Sequence, residues 1–422
     1  MTTVTDFIII SKMMWMLVVL VALLSVWAQS SKIESLRGSD PARTSRASGR
    51  LGKNPEVDMN TTELIRSLGY PVESHDVVTE DGYILGVFRI PHGRHGKQGT
   101  GPRPVVLLQH GLIGNCDDFI INSAEQSLGF LLADAGADVW LGNTRGNIHS
   151  RRHKTLDPRS LEFWQFNWDD MAQFDLPAMI YHVLNQTGAQ QLYYVGHSQG
   201  TAIAFARLST DQALAARVKH FMALAPIARV GNTRSPIRLL LPFTDEIQFF
   251  FDTFGHGLFD IPPPILKFLA DDLCQKWGQA ICENAIFLVC GFDPQSWNAS
   301  RTDVYVSHGP GGASVMNMLQ WAQNIKASQF QHYDYGEKEN IAKYGQKTPP
   351  LYNPSKVKVP VAIFRGGRDW LADDKDVSWL LPQLNVTHDV YIPRYEHLDL
   401  VFAFDAADLI YKDLINIIMN DQ

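Results

Sequence analysis

Short apolar runs of strand length recur along this chain with longer amphipathic stretches between them, and that alternation restricts the fold more than any other feature. The runs are PVVLLQH (104–110), ADVWLGN (137–143), QLYYVGH (191–197), HFMALAP (220–226), VPVAIFR (359–365) and HDVYIP (388–393). Strands that are apolar throughout and separated by helical crossovers pair in parallel, with both sheet faces covered. The expected class is therefore α/β, a mostly parallel central sheet flanked by helices. Ahead of the first run, VESHDVVTEDGYILGVFRIP (72–91) reads as two strands turning at Glu80-Asp81-Gly82, since a D-G pair favours a hairpin. The alternation stops between about Ala228 and Leu351, where LLLPF, QFFFDTFGHGLFDIPPPILKFL and IFLVCGF precede a polar, Gly/Tyr-rich tail. A mainly helical cap inserted at 228–352 is expected, dividing the core into 55–227 and 353–422.

With 45% hydrophobic and 19% charged residues in 422, the chain can bury a large core and is not disordered in bulk. Its net charge of −7, with no basic stripe interleaved with aromatics, argues against nucleic acid as a partner. Met13 to Ala28 is an apolar run after Lys12, and Val26-Trp27-Ala28 suits signal peptidase. Residues 1–28 read as a signal peptide cut after Ala28, with a signal anchor as the alternative because Phe7 to Ile10 lengthens the apolar stretch. Residues 29–54 read as a flexible leader or pro-segment. No later run approaches the roughly 20 apolar residues of a spanning helix, so no stable transmembrane anchor is expected. Sequons at Asn60, Asn185, Asn298 and Asn385 fit passage through the secretory pathway, to an extracellular or lysosomal destination. The four cysteines, Cys116, Cys274, Cys282 and Cys290, form no disulfide scaffold and no zinc pattern of regular spacing. No metal and no cofactor is expected. Cys274 and Cys282 could close a small loop, and Cys116 and Cys290 read as ordinary buried thiols.

The chemistry centres on Gly196-His197-Ser198-Gln199-Gly200. A bare G-x-S-x-G arises by chance in about one chain in seven of this length when Gly and Ser are each near 7%. Its setting adds the information: LYYV before it is a strand and TAIAFARL after it a helix, the strand-turn-helix that exposes a serine at a sharp elbow. A serine hydroxyl needs an imidazole base, itself oriented by a buried carboxylate. The order Ser, acid, His belongs to the α/β-hydrolase arrangement. Asp369, after VAIFRGGR, is the expected orienting acid, with Asp373, Asp374 and Asp376 as competitors assigned to solvent on the next helix. His397, after VYIPRYE and before a helix read over Val401 to Met419, is the expected general base, and His388 the rival at the far end of its strand. Two backbone N–H groups should form the oxyanion hole, from Leu112 and Gln199. His110 reads as a structural residue holding the loop of Leu112.

Longer blocks go further. PEVDMNTTELIRSLGYPVE, TEDGYILGVFRIP, LLQHGLIG, LADAGADVWLGNTRGNIHS, FWQFNWDDMAQFDLPAMI, YYVGHSQGT, VYVSHGPGGASV, GGRDWLADDKDV and PRYEHLDLVFA resemble the acid lipase family, which includes gastric and lysosomal acid lipases. The resemblance runs from about Pro55 to the end. It implies an α/β-hydrolase with a cap that hydrolyses triacylglycerols and, in lysosomal members, cholesteryl esters at a neutral lipid droplet or micelle surface, as a monomer without cofactor. It also implies Ser198 as nucleophile, Asp369 as acid, His397 as base, Leu112 and Gln199 as oxyanion donors, a cap disulfide between Cys274 and Cys282, and a free cysteine at Cys290. The chain departs from the pattern in its leader, in Cys116-Asp117-Asp118-Phe119 where a Trp is usual, and in Gln320 where His is frequent.

The leading reading is thus a lipase acting at an interface through an acyl-serine. The alternatives are a soluble short-chain carboxylesterase or thioesterase, and a non-enzymatic lipid-binding homologue, against which the intact Ser198, Asp369 and His397 argue. The segment around Phe249 to Phe292 is expected as a lid, with Phe268 and Leu269 on one apolar helical face. Peptide mapping without reduction should recover Cys274 and Cys282 as one cross-linked species; two free thiols would remove the pairing.

Overall fold

The computed structural model describes residues 54–97, 101, 103–259 and 289–421. The expected signal peptide, residues 29–53 of the leader, the Cys274–Cys282 pair, and Phe268 and Leu269 of the expected lid lie outside the described residues.

Among these, nine strands form one sheet: β1 (Glu73–Val78), β2 (Tyr83–Ile90), β3 (Val105–Gln109), β4 (Asp138–Gly142), β5 (Arg152–His153), β6 (Leu192–His197), β7 (Val218–Leu224), β10 (Val361–Gly366) and β11 (Val386–Ile392). The remaining two, β8 (Leu258–Phe259) and β9 (Ala313–Ser314), pair with each other. The order across the large sheet is β1-β2-β4-β3-β6-β7-β10-β11, with β5 on β2. Every pairing from β4 through β11 is parallel, and the β1–β2 hairpin is joined antiparallel to that set. All six strand-length runs of the sequence are therefore strands. β3, β4 and β6 are buried at every residue, which is why they lack alternation.

Because β3 has β4 on one side and β6 on the other, the winding direction reverses between β3 and β6. Loops leaving the carboxyl ends of those strands diverge there and open a crevice. The loop after β3 and the turn after β6 both lie at it.

Between β7 and β10 the chain leaves the sheet for helical turns and helices at Pro236–Phe243, Thr244–Phe254, Thr302–His308, Val315–Ala327 and Glu337–Tyr344. The stretch is mainly helical, with β8 and β9 forming a two-residue ladder inside it. The C-terminal helix expected over 401–419 is broken. Asp399–Phe402 ends where Ala403 turns extended, and Phe404 N–H donates to Ser296 O at 3.1 Å, before a wide turn at Ala407–Tyr411 and the helix Lys412–Asn420. No helix among the described residues is long and apolar enough to cross a membrane.

One buried cation ties the hairpin to the parallel strands. Arg145, in the loop after β4, reaches both oxygens of Asp81 in the hairpin turn at 2.6 and 2.9 Å and Asp175 Oδ1 through Nε at 2.8 Å. Its backbone N–H donates to Asp175 Oδ2 at 2.8 Å, and the guanidinium lies over the Tyr83 ring. Arg145 and Asp175 are almost fully buried. Removing one partner of such a pair leaves an uncompensated charge, at a cost of about 3–5 kcal/mol. Arg145→Met is therefore expected to lower stability by that order in urea unfolding, and a loss below about 1 kcal/mol would show the network to be dispensable.

Candidate active site

Ser198 stands where β6 ends and the helix Gln199–Thr210 begins, at φ 52° and ψ −118°. A side chain tolerates that conformation only where the neighbours enforce it. Ser198 N–H donates to Leu224 O at 3.0 Å, anchoring the elbow on β7. A Cβ on Gly196 would lie 2.9 Å from the Gly200 carbonyl, and one on Gly200 would lie 2.6 Å from Gln109 O. The two glycines thus let the strand, turn and helix close up.

The side chains meet as the sequence implied. His397 Nε2 lies 2.7 Å from Ser198 Oγ, and His397 Nδ1 lies 2.8 Å from Asp369 Oδ2. An ionised carboxylate only accepts, so Nδ1 carries the proton and Nε2 presents its lone pair to the serine hydroxyl. Asp369 Oδ1 accepts from the N–H groups of Leu371 and Ala372, both at 2.8 Å. All three residues are buried. The rival His388 is exposed, near the amino end of β11.

The loop after β3 lies against the serine: a Cβ on Gly111 would be 3.0 Å from Ser198 Cβ. Gly114 N–H donates to Gly111 O at 3.2 Å, and Ile113 inside this turn has φ 53°, an outlier for a β-branched residue. Leu112 lies in this turn and Gln199 opens the helix that follows Ser198. His110 holds the loop as expected. Its Nε2 accepts from Thr144 N–H at 3.2 Å and Nδ1 donates to Gly111 O at 2.7 Å, while burial pushes its pKa down to about 4.

The chain is similar to known proteins over most of its length. A family model for the alpha/beta hydrolase fold matches residues 104–404, and one for a partial alpha/beta-hydrolase lipase region matches 61–123. Human lipase member K is 48% identical over 86% of this chain and 91% of its own length, and human gastric triacylglycerol lipase 47% over 89% and 95%. Human lysosomal acid lipase/cholesteryl ester hydrolase is 46% identical over 87% of this chain and 93% of its own. The chain belongs to the acid lipase family of α/β-hydrolases. A solved structure from Acinetobacter baumannii, 14% identical with a TM-score of 0.53, covers 89% of this chain and 100% of that one and shows the shared fold.

Some residues of this acid lipase's site were not visible in its motifs. His197, inside the pentapeptide, donates from Nε2 to the carbonyl of His397 at 3.1 Å and so holds the backbone of the imidazole. Burial pushes its pKa down to about 3, which keeps it neutral. The Gln199 side chain accepts from Asn317 Nδ2 at 3.0 Å and Trp321 Nε1 at 2.7 Å, binding the elbow to the helix Val315–Ala327. Asp373 and Asp376 are not solvated as expected. Asp376 takes Arg229 Nε at 3.1 Å and the Asn232 N–H at 2.7 Å, and Asp373 pairs with Arg234 at 2.8 Å, because the segment 229–234 packs its cations on the helix Asp374–Leu380. Asn60, Asn185 and Asn385 are exposed and Asn298 is half-buried.

Beside His397, Glu396 is fully buried and neither of its carboxyl oxygens has a hydrogen-bond partner. Burial, with Asp399, Asp369 and Asp293 nearby, pushes its pKa well above the carboxylate range; burial likewise raises that of Asp399 to about 8. Folded-state values above the unfolded ones mean that the native chain binds more protons. The stability these groups supply is complete below about pH 4 and is lost as pH rises through the folded values. Glu396→Gln should therefore flatten the decline of the thermal midpoint as pH rises above about 4 while changing it little at the acid end. An unaltered slope would show that Glu396 ionises freely in the fold.

Proposed function

We propose that this protein hydrolyses carboxylic esters of neutral lipids, triacylglycerols first and cholesteryl esters second, through an acyl-Ser198 intermediate. The observation that carries the reading is the hydrogen-bonded series from Ser198 through His397 to Asp369 at the carboxyl edge of the sheet. His397 Nε2 takes the hydroxyl proton as Ser198 Oγ attacks the ester carbonyl, and Asp369 stabilises the imidazolium that forms. The N–H groups of Leu112 and Gln199 face the oxygen on which negative charge develops. His397 then gives the proton to the departing alcohol. In the second half it takes a proton from water, whose oxygen attacks the acyl carbon and frees the fatty acid with Ser198 restored.

Two facts favour a lipid over a soluble ester. The relatives at 46–47% identity are named for triacylglycerol and cholesteryl ester substrates. The inserted segment exposes Leu239, Phe249 and Val289, apolar surface that contact with a lipid phase would remove from water at about 25 cal/mol per Å². Passage through the secretory pathway to an extracellular or lysosomal destination, with a monomeric chain, completes the proposal.

Hydrolysis of emulsified triolein and of a soluble butyrate ester by the purified full chain tests it. Turnover is expected to rise when substrate passes from monomers to droplets. Ser198→Ala should abolish turnover apart from a small residue left by binding and the oxyanion hole, and Asp369→Asn should cost up to about 10⁴-fold in kcat because Asn presents the wrong partner to Nδ1. Wild-type turnover in Ser198→Ala would overturn the nucleophile. Preference for the soluble butyrate ester with no rise on droplets would turn the reading to a short-chain carboxylesterase.

A further inference from the structure

Immediately beyond the loop that carries Leu112, three side chains from two separate segments converge. Cys116 Sγ, an oxygen of Asp117 and a ring nitrogen of His149 all lie within 4.8 Å of one another, with Cys116 and Asp117 buried and His149 half-buried. Cys116 Sγ is 3.6 Å from Asp117 Oδ1. Thr61 Oγ1 lies between the other two, donating to Asp117 Oδ1 at 2.7 Å and standing 3.3 Å from His149 Nε2. The second oxygen of Asp117 is held by His308 Nδ1 at 2.9 Å, and His308 Nε2 is tied to Glu56 O at 2.9 Å.

We propose that Cys116, Asp117 and His149 form a binding site for a borderline divalent transition metal, zinc by preference. A tetrahedral zinc ion with bonds of about 2.0–2.3 Å sets its ligand atoms about 3.3–3.7 Å apart, close to the sulfur–oxygen separation here. The donor set is one thiolate, one imidazole and one carboxylate, which suits zinc and excludes calcium and magnesium, both of which want oxygens. The thiolate and the carboxylate supply negative charge that lowers the cost of holding a cation there. On binding, the Cys116 thiol loses its proton to solvent, and His149 carries its ring proton on the nitrogen away from the ion, so that the other lone pair coordinates. The fourth position falls to a water, while Thr61 Oγ1 keeps its hydrogen bond to Asp117. His308 supplies the support that metal-bound carboxylates require, fixing Asp117 from its far side.

The ligands come from positions that no linear zinc motif joins. Cys116 and Asp117 are adjacent at the end of the loop after β3, and His149 follows β4, so only the fold assembles them. A bound ion would clamp the oxyanion loop to the segment after β4, with Thr61 of the first helix beside it.

Cobalt substitution tests this on the full-length protein, dialysed against a chelator and titrated near pH 7. The expected result is one Co²⁺ per chain with a thiolate-to-cobalt charge-transfer band, discharged by Zn²⁺, and a rise of about 3–5 °C in thermal midpoint at saturating zinc. The band should vanish in Cys116→Ser and in His149→Phe. If either variant fails to fold, mapping thiol alkylation in the wild type decides instead: zinc should protect Cys116 and leave Cys290 unchanged. No band at saturating cobalt, a band that survives in Cys116→Ser, or no protection of Cys116 would each overturn the site.

Discussion

Ser198 is held at φ 52° and ψ −118°, a conformation that costs of the order of 1–3 kcal/mol and survives only where the surroundings over-determine it. The architecture is arranged around that residue. A parallel strand must stop and a helix must start within one residue, which requires the missing side chains of Gly196 and Gly200 and the hydrogen bond from Ser198 N–H to Leu224 O. Because β6 lies at the reversal of winding, the elbow faces a crevice into which the loops after β3, β10 and β11 also project. Asp369 and His397 need only follow their strands to arrive there.

The inserted segment is part of the same machinery. Its helix Val315–Ala327 holds the Gln199 side chain through Asn317 and Trp321. Gly311 N–H donates to Ile113 O at 2.6 Å, and Asn115 Nδ2 donates to His308 O at 2.7 Å, so the loop of Leu112 is gripped from the same segment. Both N–H groups assigned to the oxyanion thus depend on contacts made by residues distant in the chain.

The carboxyl groups near His397 show how burial alone separates roles. Asp369 meets two backbone N–H groups and an imidazole, so its charge is compensated where it stands. Glu396, adjacent to the imidazole in sequence, is equally buried without such partners and is stable in the protonated form. Keeping Glu396 and Asp399 protonated therefore costs least in acid.

Much of this was legible beforehand. Six apolar runs became strands, the D-G turn became the hairpin, and Ser198, Asp369 and His397 were named from strand-turn-helix context and chain order, because those signals are local: burial on both faces shows as an unbroken apolar run, and a sharp turn shows as glycine. What escaped were long-range pairings with no periodicity. Asp376 looked solvated on a polar helix face until Arg229 and Asn232 packed on it, the C-terminal helix broke where Phe404 N–H was drawn to Ser296 O, and the hold of His197 on the His397 backbone had no signal in the pentapeptide. The sequence by itself determined the strands and the elbow at Ser198, since each depends on neighbours a few residues away. Only the tertiary structure decided which polar side chains share a buried space, as with Cys116 and His149 or Gln199 and Trp321, because the cost of burying a polar group is settled by partners that chain folding brings from elsewhere.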